Sequence, residues 1–163
     1  MNDETDKIRK QIVLRAPRKR VWEAITDAKQ FGTWFGVEFD DAFVAGRRVH
    51  GRVVPTAVDP EVAKSQEPYA GLEFDVVVER VEPMDHFSFR WHPGSSTDAD
   101  RPDEEMTQVM FELADAEDGV LLTITESGFD RVPLERRAKA FADNDGGWTA
   151  QTELIKKFLQ DAS

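Results

Sequence analysis

Cysteine is absent from this sequence of 163 residues, so disulfides and thiol chemistry are excluded. Long apolar runs are absent as well, because no stretch approaches the roughly 20 residues that a membrane-spanning helix needs. The first six residues are polar and acidic, which is the reverse of a secretory signal peptide. From these absences we expect a cytoplasmic protein without a membrane span.

Basic residues are few compared with acidic ones. The sequence has 21 lysine and arginine residues against 32 aspartate and glutamate residues, which gives a formal net charge of −11. This charge repels nucleic-acid phosphates and anionic membranes, so we expect neither as a partner. Hydrophobic residues make up 40% of the chain, enough for a core. The length suits one domain over residues 1–163, with its core at about 8–159.

No motif for a metal ion or a cofactor is visible in the sequence. His50, His86 and His92 stand apart and lack the paired spacing of metal ligands. The acidic stretch 93–105 lacks the glycine and the closing glutamate of an EF-hand loop, and no glycine-rich phosphate loop occurs. We therefore expect no metal and no cofactor. We expect His50 to face solvent, although a reversed strand register would turn it inward.

Alternation and helical spacing predict one strand, two short helices, six further strands and a final helix. The first strand is predicted at residues 8–15, and Pro17 suits the first turn of a helix. Asp27 is predicted to cap a second helix that ends near Gly32, followed by an aromatic turn at residues 33–36. An antiparallel meander with the first strand at one edge is predicted, with later strands at residues 37–39, 46–54, 72–81, 86–92, 106–114 and 120–126 and a hairpin at Asp118-Gly119.

Two long loops and a final helix complete the prediction. The loops span residues 55–68 and 93–105, and the second is expected to be mobile because it has nothing apolar to bury. A helix is predicted from Pro133, with a break at residues 143–147 because paired glycines cost roughly 1 kcal/mol each inside a helix. Trp148 then begins an apolar stripe that is expected to lie across the sheet.

Several short stretches, taken in chain order, match the residue pattern of a known family. They are Ala16-Pro17, Val21-Trp22, Ile25-Thr26, Trp34, Gly46, residues 78–83, 87–91 and 123–129, and Gly147-Trp148. As an ordered set over nearly the whole chain, they resemble the START/Bet v 1-like (SRPBCC) superfamily. Within it, the chain looks most similar to the homologues of the activator of heat-shock-protein-90 ATPase. The resemblance implies an α+β helix-grip fold, in which a curved antiparallel sheet wraps around a long C-terminal helix.

The resemblance and the alternation together indicate which side chains would line a cavity between the sheet and the helix. Glu126 continues the inward alternation of the last strand, where it would serve a ligand or a reaction, pair with an arginine, or cap the backbone near Gly128. Ser127 faces the opposite side, which argues against a Ser–Glu relay. The candidate ligand-binding residues are Trp34, Phe35, Phe39, Phe74, Phe89, Trp91, Phe111, Ile124, Glu126, Phe129, Trp148 and Thr152.

Three functions are consistent with the sequence. The first is binding of a small hydrophobic or aromatic molecule in the cavity. The second is a co-chaperone-like module of the stress response, whose acidic surface steers a chaperone or another basic protein partner. The third is a cyclase- or hydrolase-like enzyme with Glu126 as general acid or base. The superfamily includes carriers, cyclases and co-chaperone domains, so the resemblance alone does not choose among them.

Overall fold

The computed structural model describes residues 7–92 and 105–161 of the chain. Seven strands, four α-helices and two short 3₁₀ helices occur in these ranges. In chain order they are β1 (Lys7–Leu14), α1 (Arg18–Thr26), α2 (Ala28–Phe35), β2 (Val37–Phe39), β3 (Arg48–Val53), α3 (Pro60–Gln66), the 3₁₀ helix Glu67–Tyr69, β4 (Glu73–Glu82), β5 (His86–Trp91), β6 (Thr107–Ala116), β7 (Gly119–Ser127), the 3₁₀ helix Phe129–Arg131 and α4 (Leu134–Asp161).

The strands form one antiparallel sheet in the order β1-β7-β6-β5-β4-β3-β2. The predicted meander is thereby confirmed, with β1 at one edge beside β7. The last hairpin pairs Ala116 with Gly119, close to the predicted turn. Helix α4 packs against β1, α1 and α2. The predicted α+β helix-grip fold is confirmed.

Helix α2 is longer than predicted. Asp27 caps it as expected, since its carboxylate accepts hydrogen bonds from the backbone N–H groups two and three residues further on. Gly32 does not end the helix, because it serves packing: a Cβ there would lie 2.1 Å from the Val37 carbonyl oxygen of β2. The aromatic turn predicted at residues 33–36 is therefore wrong. Residues 33–35 complete the helix, and Gly36 with a φ of 97° is its C-cap.

The first predicted loop, residues 55–68, contains helix α3. Asp59 caps the start of this helix, and a proline occupies the first helical position. This pair favours a helix start, but the prolines of the segment led to the prediction of a loop. Lys157 of α4 pairs with Asp59, and this contact lowers the pKa of the Asp59 carboxyl. Gln66 donates a hydrogen bond of 3.1 Å to a carbonyl of α2, so α3 is attached to two other helices. The second predicted loop, residues 93–105, lies outside the described residues except at its end.

Helix α4 is continuous, so the break predicted at residues 143–147 is wrong. Contacts on both sides of the two glycines hold this part of the helix in place. Asp145 pairs with Lys10 of β1 at 3.0 Å, and Asn144 and Trp148 donate hydrogen bonds to β7. Tertiary contacts of this kind override a local propensity cost of roughly 1 kcal/mol per glycine. Trp148 accordingly lies in the middle of the helix and not at its start.

The inner face of the sheet forms the core with the helices. Alternation correctly predicted its members, because the inward positions of β5, β6 and β7 are buried and their neighbours face outward. Within the described ranges, none of the helices combines the length and apolarity that a bilayer crossing demands. The predicted inward residues are Phe87, Phe89, Trp91, Val109, Phe111, Leu113, Val120, Leu122 and Ile124, of which all but Trp91 are buried.

Candidate functional site

Glu126 lies at the end of β7 on the inner face, with no measurable exposure to solvent. Four side chains donate hydrogen bonds to its carboxylate. Trp148 Nε1 and Asn144 Nδ2 each lie 2.8 Å from Oε1, and Asn144 Nδ2 lies 3.0 Å from Oε2 as well. Trp91 Nε1 lies 2.8 Å and Thr107 Oγ1 2.5 Å from Oε2. The predicted inward orientation of Glu126 is confirmed.

Three neighbouring strands and helix α4 bring these donors together. Trp91 and Thr107 face each other across β5 and β6, and β6 pairs with the strand that carries Glu126. Asn144 and Trp148 are four residues apart on α4, so they lie on one side of the helix. The group of five residues, which we call the Glu126 cluster, therefore fastens the terminal helix to the centre of the sheet.

All four donors to Glu126 are neutral groups. The arginine partner that the sequence left open as an alternative is not among them. Two indole N–H groups, an amide and a hydroxyl satisfy both oxygens of a carboxylate that has no solvent-exposed surface. Hydrogen bonds to a carboxylate are stronger than those between neutral groups, and a low-dielectric interior strengthens them further.

Aromatic rings surround the Glu126 cluster. The Trp148 ring lies 5.8 Å from the rings of Phe35 and Trp91 and 5.9 Å from that of Phe111, measured between centroids. Phe89 contacts Trp91 at 5.3 Å. Aromatic pairs at these separations contribute roughly 0.5–1.5 kcal/mol each beyond their buried area. The structure thus brings together five of the predicted ligand-binding aromatic residues around one carboxylate.

Four predicted site residues are only partly buried and connect this aromatic group with the surface. Phe74 contacts Trp91 at 6.3 Å and Phe39 at 6.1 Å, and Phe35 contacts Trp91 at 5.9 Å. All four pack against the core without being enclosed by it. They mark the place where the interior of the grip approaches solvent.

The remaining predicted site residues lie elsewhere in the core. Trp34 is enclosed in α2 and donates a hydrogen bond of 2.8 Å from Nε1 to the Ala24 carbonyl, so it joins the two short helices. Phe129 contacts Phe141 at 5.1 Å. Ile124 pairs with Phe111 across β6 and β7, and Thr152 bonds to the backbone of its own helix.

Two members of the Glu126 cluster escaped the sequence analysis, namely Thr107 and Asn144. Thr107 lies two residues before Val109 in β6, so the alternation could have predicted that its hydroxyl faces the interior. Asn144 lies four residues before Trp148, but this relation has meaning only if the helix continues through the glycines. The wrong prediction of a helix break concealed it.

A cavity of about 880 Å³ lies outside the grip, beside α2 and β2. Of the predicted site residues, it includes only Phe39 in its lining. Its apolar floor includes Val37 and Phe43, and half of its other lining residues are polar or charged. We call it the α2–β2 cleft. Its acidic lining residues are Asp27, Glu38, Asp40 and Asp41.

His50 faces outward, which confirms the predicted orientation. Its Nε2 lies 2.9 Å from Glu73 Oε1 and its Nδ1 lies 2.8 Å from Asp75 Oδ1. Hydrogen bonds to Glu73 and then to Asp75 raise the pKa of His50 above its usual 6.5. Arg48 also reaches Asp75, at 3.2 Å. In residues 7–92 and 105–161, no group of three histidine, aspartate or glutamate side chains is arranged to hold a metal ion.

The fold defines a helix-grip protein, of the kind found in the START/Bet v 1-like superfamily. The family model described as "Activator of Hsp90 ATPase homolog 1-like protein" matches residues 15–160, and the chain belongs to this family. No curated protein matches the chain in sequence.

Solved structures share the fold at low sequence identity. Protein MLL2253 from Mesorhizobium loti is 18% identical, with a TM-score of 0.70 over 96% of this chain and 98% of that one. Aha1 from Colwellia psychrerythraea, solved in solution as a dimer, is 16% identical, with a TM-score of 0.67 over 94% and 95%. DynU16, a protein in the dynemicin biosynthetic locus, is 24% identical, with a TM-score of 0.66. The match covers 97% of this chain but 48% of DynU16, so the chain spans about half that protein's length.

Proposed function

We propose that this chain binds a small apolar or aromatic molecule on the inner face of the sheet, beside α4 and the Glu126 cluster. The observation that carries the proposal is a fully buried carboxylate with four side-chain donors, set among aromatic rings. Burying a charged group is costly, and a packed apolar residue generally serves a core as well or better. Ligand sites are typically apolar with a few convergent polar groups, which is the composition of this region.

Trp91 is the side chain that links the buried carboxylate with the surface. Its ring is partly exposed and contacts Phe74 and Phe35, while its indole N–H is bonded to Glu126. The rings around it are in contact, so a ligand requires that Trp91 swing aside. That movement vacates one acceptor position on Glu126 Oε2. The favoured ligand is therefore a planar aromatic molecule with one hydroxyl or N–H donor that replaces the indole.

Catalysis by Glu126 is less well supported than binding. A general acid or base must lie within hydrogen-bond reach of the proton that it transfers. Both oxygens of Glu126 are already occupied by the four donors, and none of these is itself a strong acid or base. The site therefore supports recognition of a donor group more directly than proton transfer.

Three of the four tryptophans provide a sharp test by NMR. The indole N–H groups of Trp91 and Trp148 donate to Glu126, so their signals report on that carboxylate. The indole N–H of Trp34 donates to the Ala24 carbonyl instead, so its signal serves as an internal reference. We expect 2-naphthol to shift the Trp91 and Trp148 signals saturably and to bind more tightly than naphthalene, which has no donor. Glu126→Gln should abolish this preference, and the exposed Glu112→Gln should retain it. Shifts confined to outer-face residues would contradict the proposal.

A protein-interaction role is the second candidate, and the α2–β2 cleft favours it. Four acidic side chains border an apolar floor, which suits a basic protein segment with an apolar side chain. A co-chaperone-like activity would appear as a faster ATPase rate of a heat-shock-protein-90 chaperone when this chain is added. The effect should weaken in Asp40→Asn/Asp41→Asn and at higher salt. An unchanged ATPase rate at low and moderate salt would rule out this activity.

A further inference from the structure

A second cleft, of about 310 Å³, lies on the opposite face of the sheet from Glu126. It crosses strands β1, β7, β6, β5 and β4 near one end of the sheet and is closed by the turn that follows β7. We call it the outer-face cleft. Its lining residues are Lys7, Glu79, Arg90, Gln108, Ser127, Gly128, Asp130 and Arg131.

Strand register explains why these polar side chains meet. Lys7 pairs with Ser127, Ser127 with Gln108, and Gln108 with Arg90, so the four residues form one row across the sheet. Their neighbours along each strand point to the interior instead. At the end of the row, Gly128 has a φ of 93°, which turns the chain into the 3₁₀ helix that carries the last basic lining residue.

Cations exceed carboxylates in the outer-face cleft, against the charge of the whole chain. Glu79 is already occupied, since Gln108 donates to its Oε1 at 2.9 Å and Arg90 Nε lies 3.2 Å from its Oε2. Within residues 7–92 and 105–161, Lys7 and Arg131 form no ion pair with a carboxylate. The described structure pairs other outer arginines with nearby acids, as in Arg48–Asp75, Arg52–Glu38 and Arg80–Glu82.

We propose that the outer-face cleft binds a small oxyanion, either a phosphate or a carboxylate group. Lys7 and Arg131 supply two charges that form no ion pair with a described carboxylate, against one further carboxylate in the lining, that of Asp130. The Ser127 hydroxyl supplies a further donor. A planar guanidinium such as that of Arg131 matches such anions with two parallel hydrogen bonds. The volume is at the lower end for ligand pockets, which suits an anionic group and not a large molecule.

This site is independent of the ligand proposed for the inner face. Ser127 and Glu126 are adjacent in β7 but point to opposite sides of the sheet. Binding at the outer-face cleft should therefore leave the indole signals of Trp91 and Trp148 in place. Either proposal can fail while the other stands.

The test is an amide NMR titration at constant ionic strength with inorganic phosphate, phenyl phosphate, acetate and chloride. We expect saturable shifts at Ser127, Gly128 and Arg131 with at least one oxyanion and none with chloride. Preference among the three oxyanions distinguishes free phosphate, a phosphate monoester and a carboxylate as the source. Linear shifts spread over the surface, or equal shifts with chloride, would overturn the proposal.

Variants that remove a positive or a negative charge from the cleft should change the affinity in opposite directions. Arg131→Gln and Lys7→Gln should each weaken binding about tenfold, the effect of one charge-assisted hydrogen bond. Glu79→Gln should strengthen binding because it removes a negative charge from the cleft. Arg80→Gln, which lies outside the cleft, is the matched control and should bind like the wild type. The idea is lost if Lys7→Gln and Arg131→Gln both behave like this control.

Discussion

The two faces of the sheet hold their carboxylates in opposite ways. Inside, Glu126 is fully enclosed, and four neutral side chains fixed by packing donate to it. Outside, Glu73 and Asp75 keep 65% and 34% of their side-chain exposure and share one histidine. Water screens the outer pairs, so each contributes little to stability. The comparison teaches that enclosure, more than formal charge pairing, decides how much a carboxylate matters in this fold.

Replacing Glu126 with glutamine should produce the largest effect. The variant removes the charge and turns an NH₂ group toward hydrogen-bond donors, so at least one indole N–H loses its acceptor on this side chain. We expect the free energy of unfolding to fall by about 3 kcal/mol. Urea unfolding followed by circular dichroism measures it.

The matched control for this change is Glu112→Gln, on the outer side of β6. It removes the same charge from an exposed position, so it should alter the unfolding free energy by no more than about 0.5 kcal/mol. Equal losses in the two variants would mean that enclosure has no special role. The contrast between the faces would then be wrong.

The two tryptophans that bind Glu126 should also differ in their contribution to stability, and the enclosed one should contribute more. Trp148 is enclosed, with 2% exposure, whereas Trp91 is only partly buried. Trp148→Phe loses an indole hydrogen bond and leaves a small cavity, which should cost about 2 kcal/mol. Trp91→Phe should cost about half as much because water reaches its position. A larger loss for Trp91→Phe in urea unfolding would contradict this order.

The glycines between the two α4 donors offer a stabilising change. Gly146 and Gly147 lie in the helix between Asn144 and Trp148, and nothing lies within 4 Å of a Cβ added at either. Gly146→Ala should therefore raise the free energy of unfolding by roughly 0.5–1 kcal/mol. Gly32→Ala is the opposing control, since its Cβ would meet a carbonyl oxygen at 2.1 Å and should destabilise. A loss of stability in Gly146→Ala would indicate a real weakness of the helix at this point.

The same glycines show where sequence reasoning about the fold failed. Strand alternation is a local pattern, so it predicted six later strands and the inward orientation of Glu126 correctly. Glycine has two uses that its neighbours in sequence do not distinguish. At Gly32 it permits close packing, and at Gly146 it is tolerated because distant contacts hold the helix.

The candidate site was predictable only in part, because alternation shows which strand residues share a face but not how the helices pack against them. Alternation placed Glu126, Trp91 and Phe111 on one face, and these do lie together. It could not show that Asn144 and Trp148 donate to the carboxylate, because that depends on the position of α4 against the sheet. Nor could it show that Trp34 bonds within the two short helices, since that contact depends on how they pack.

The smallest predicted effect concerns pH and the outer face. Hydrogen bonds to Glu73 and Asp75 raise the pKa of His50 in the folded chain. A raised pKa means that the folded state holds the proton more tightly than the unfolded state, whose histidine titrates near 6.5. The stabilisation is thus fully present below about pH 6.5 and is lost as the pH rises through the folded value.

His50→Gln should therefore lower stability at pH 5.5 and have less effect at pH 8.5. Its effect at either pH should remain below that of Glu126→Gln, because the histidine side chain keeps 39% of its exposure and solvent screens its pairs. The double variant Glu73→Gln/Asp75→Asn should remove the pH dependence by removing its cause. An NMR titration that placed the pKa of His50 at or below 6.5 would show that these outer carboxylates do not act on it. His50 would then contribute no charge pairing on the outer face to set against the enclosed carboxylate.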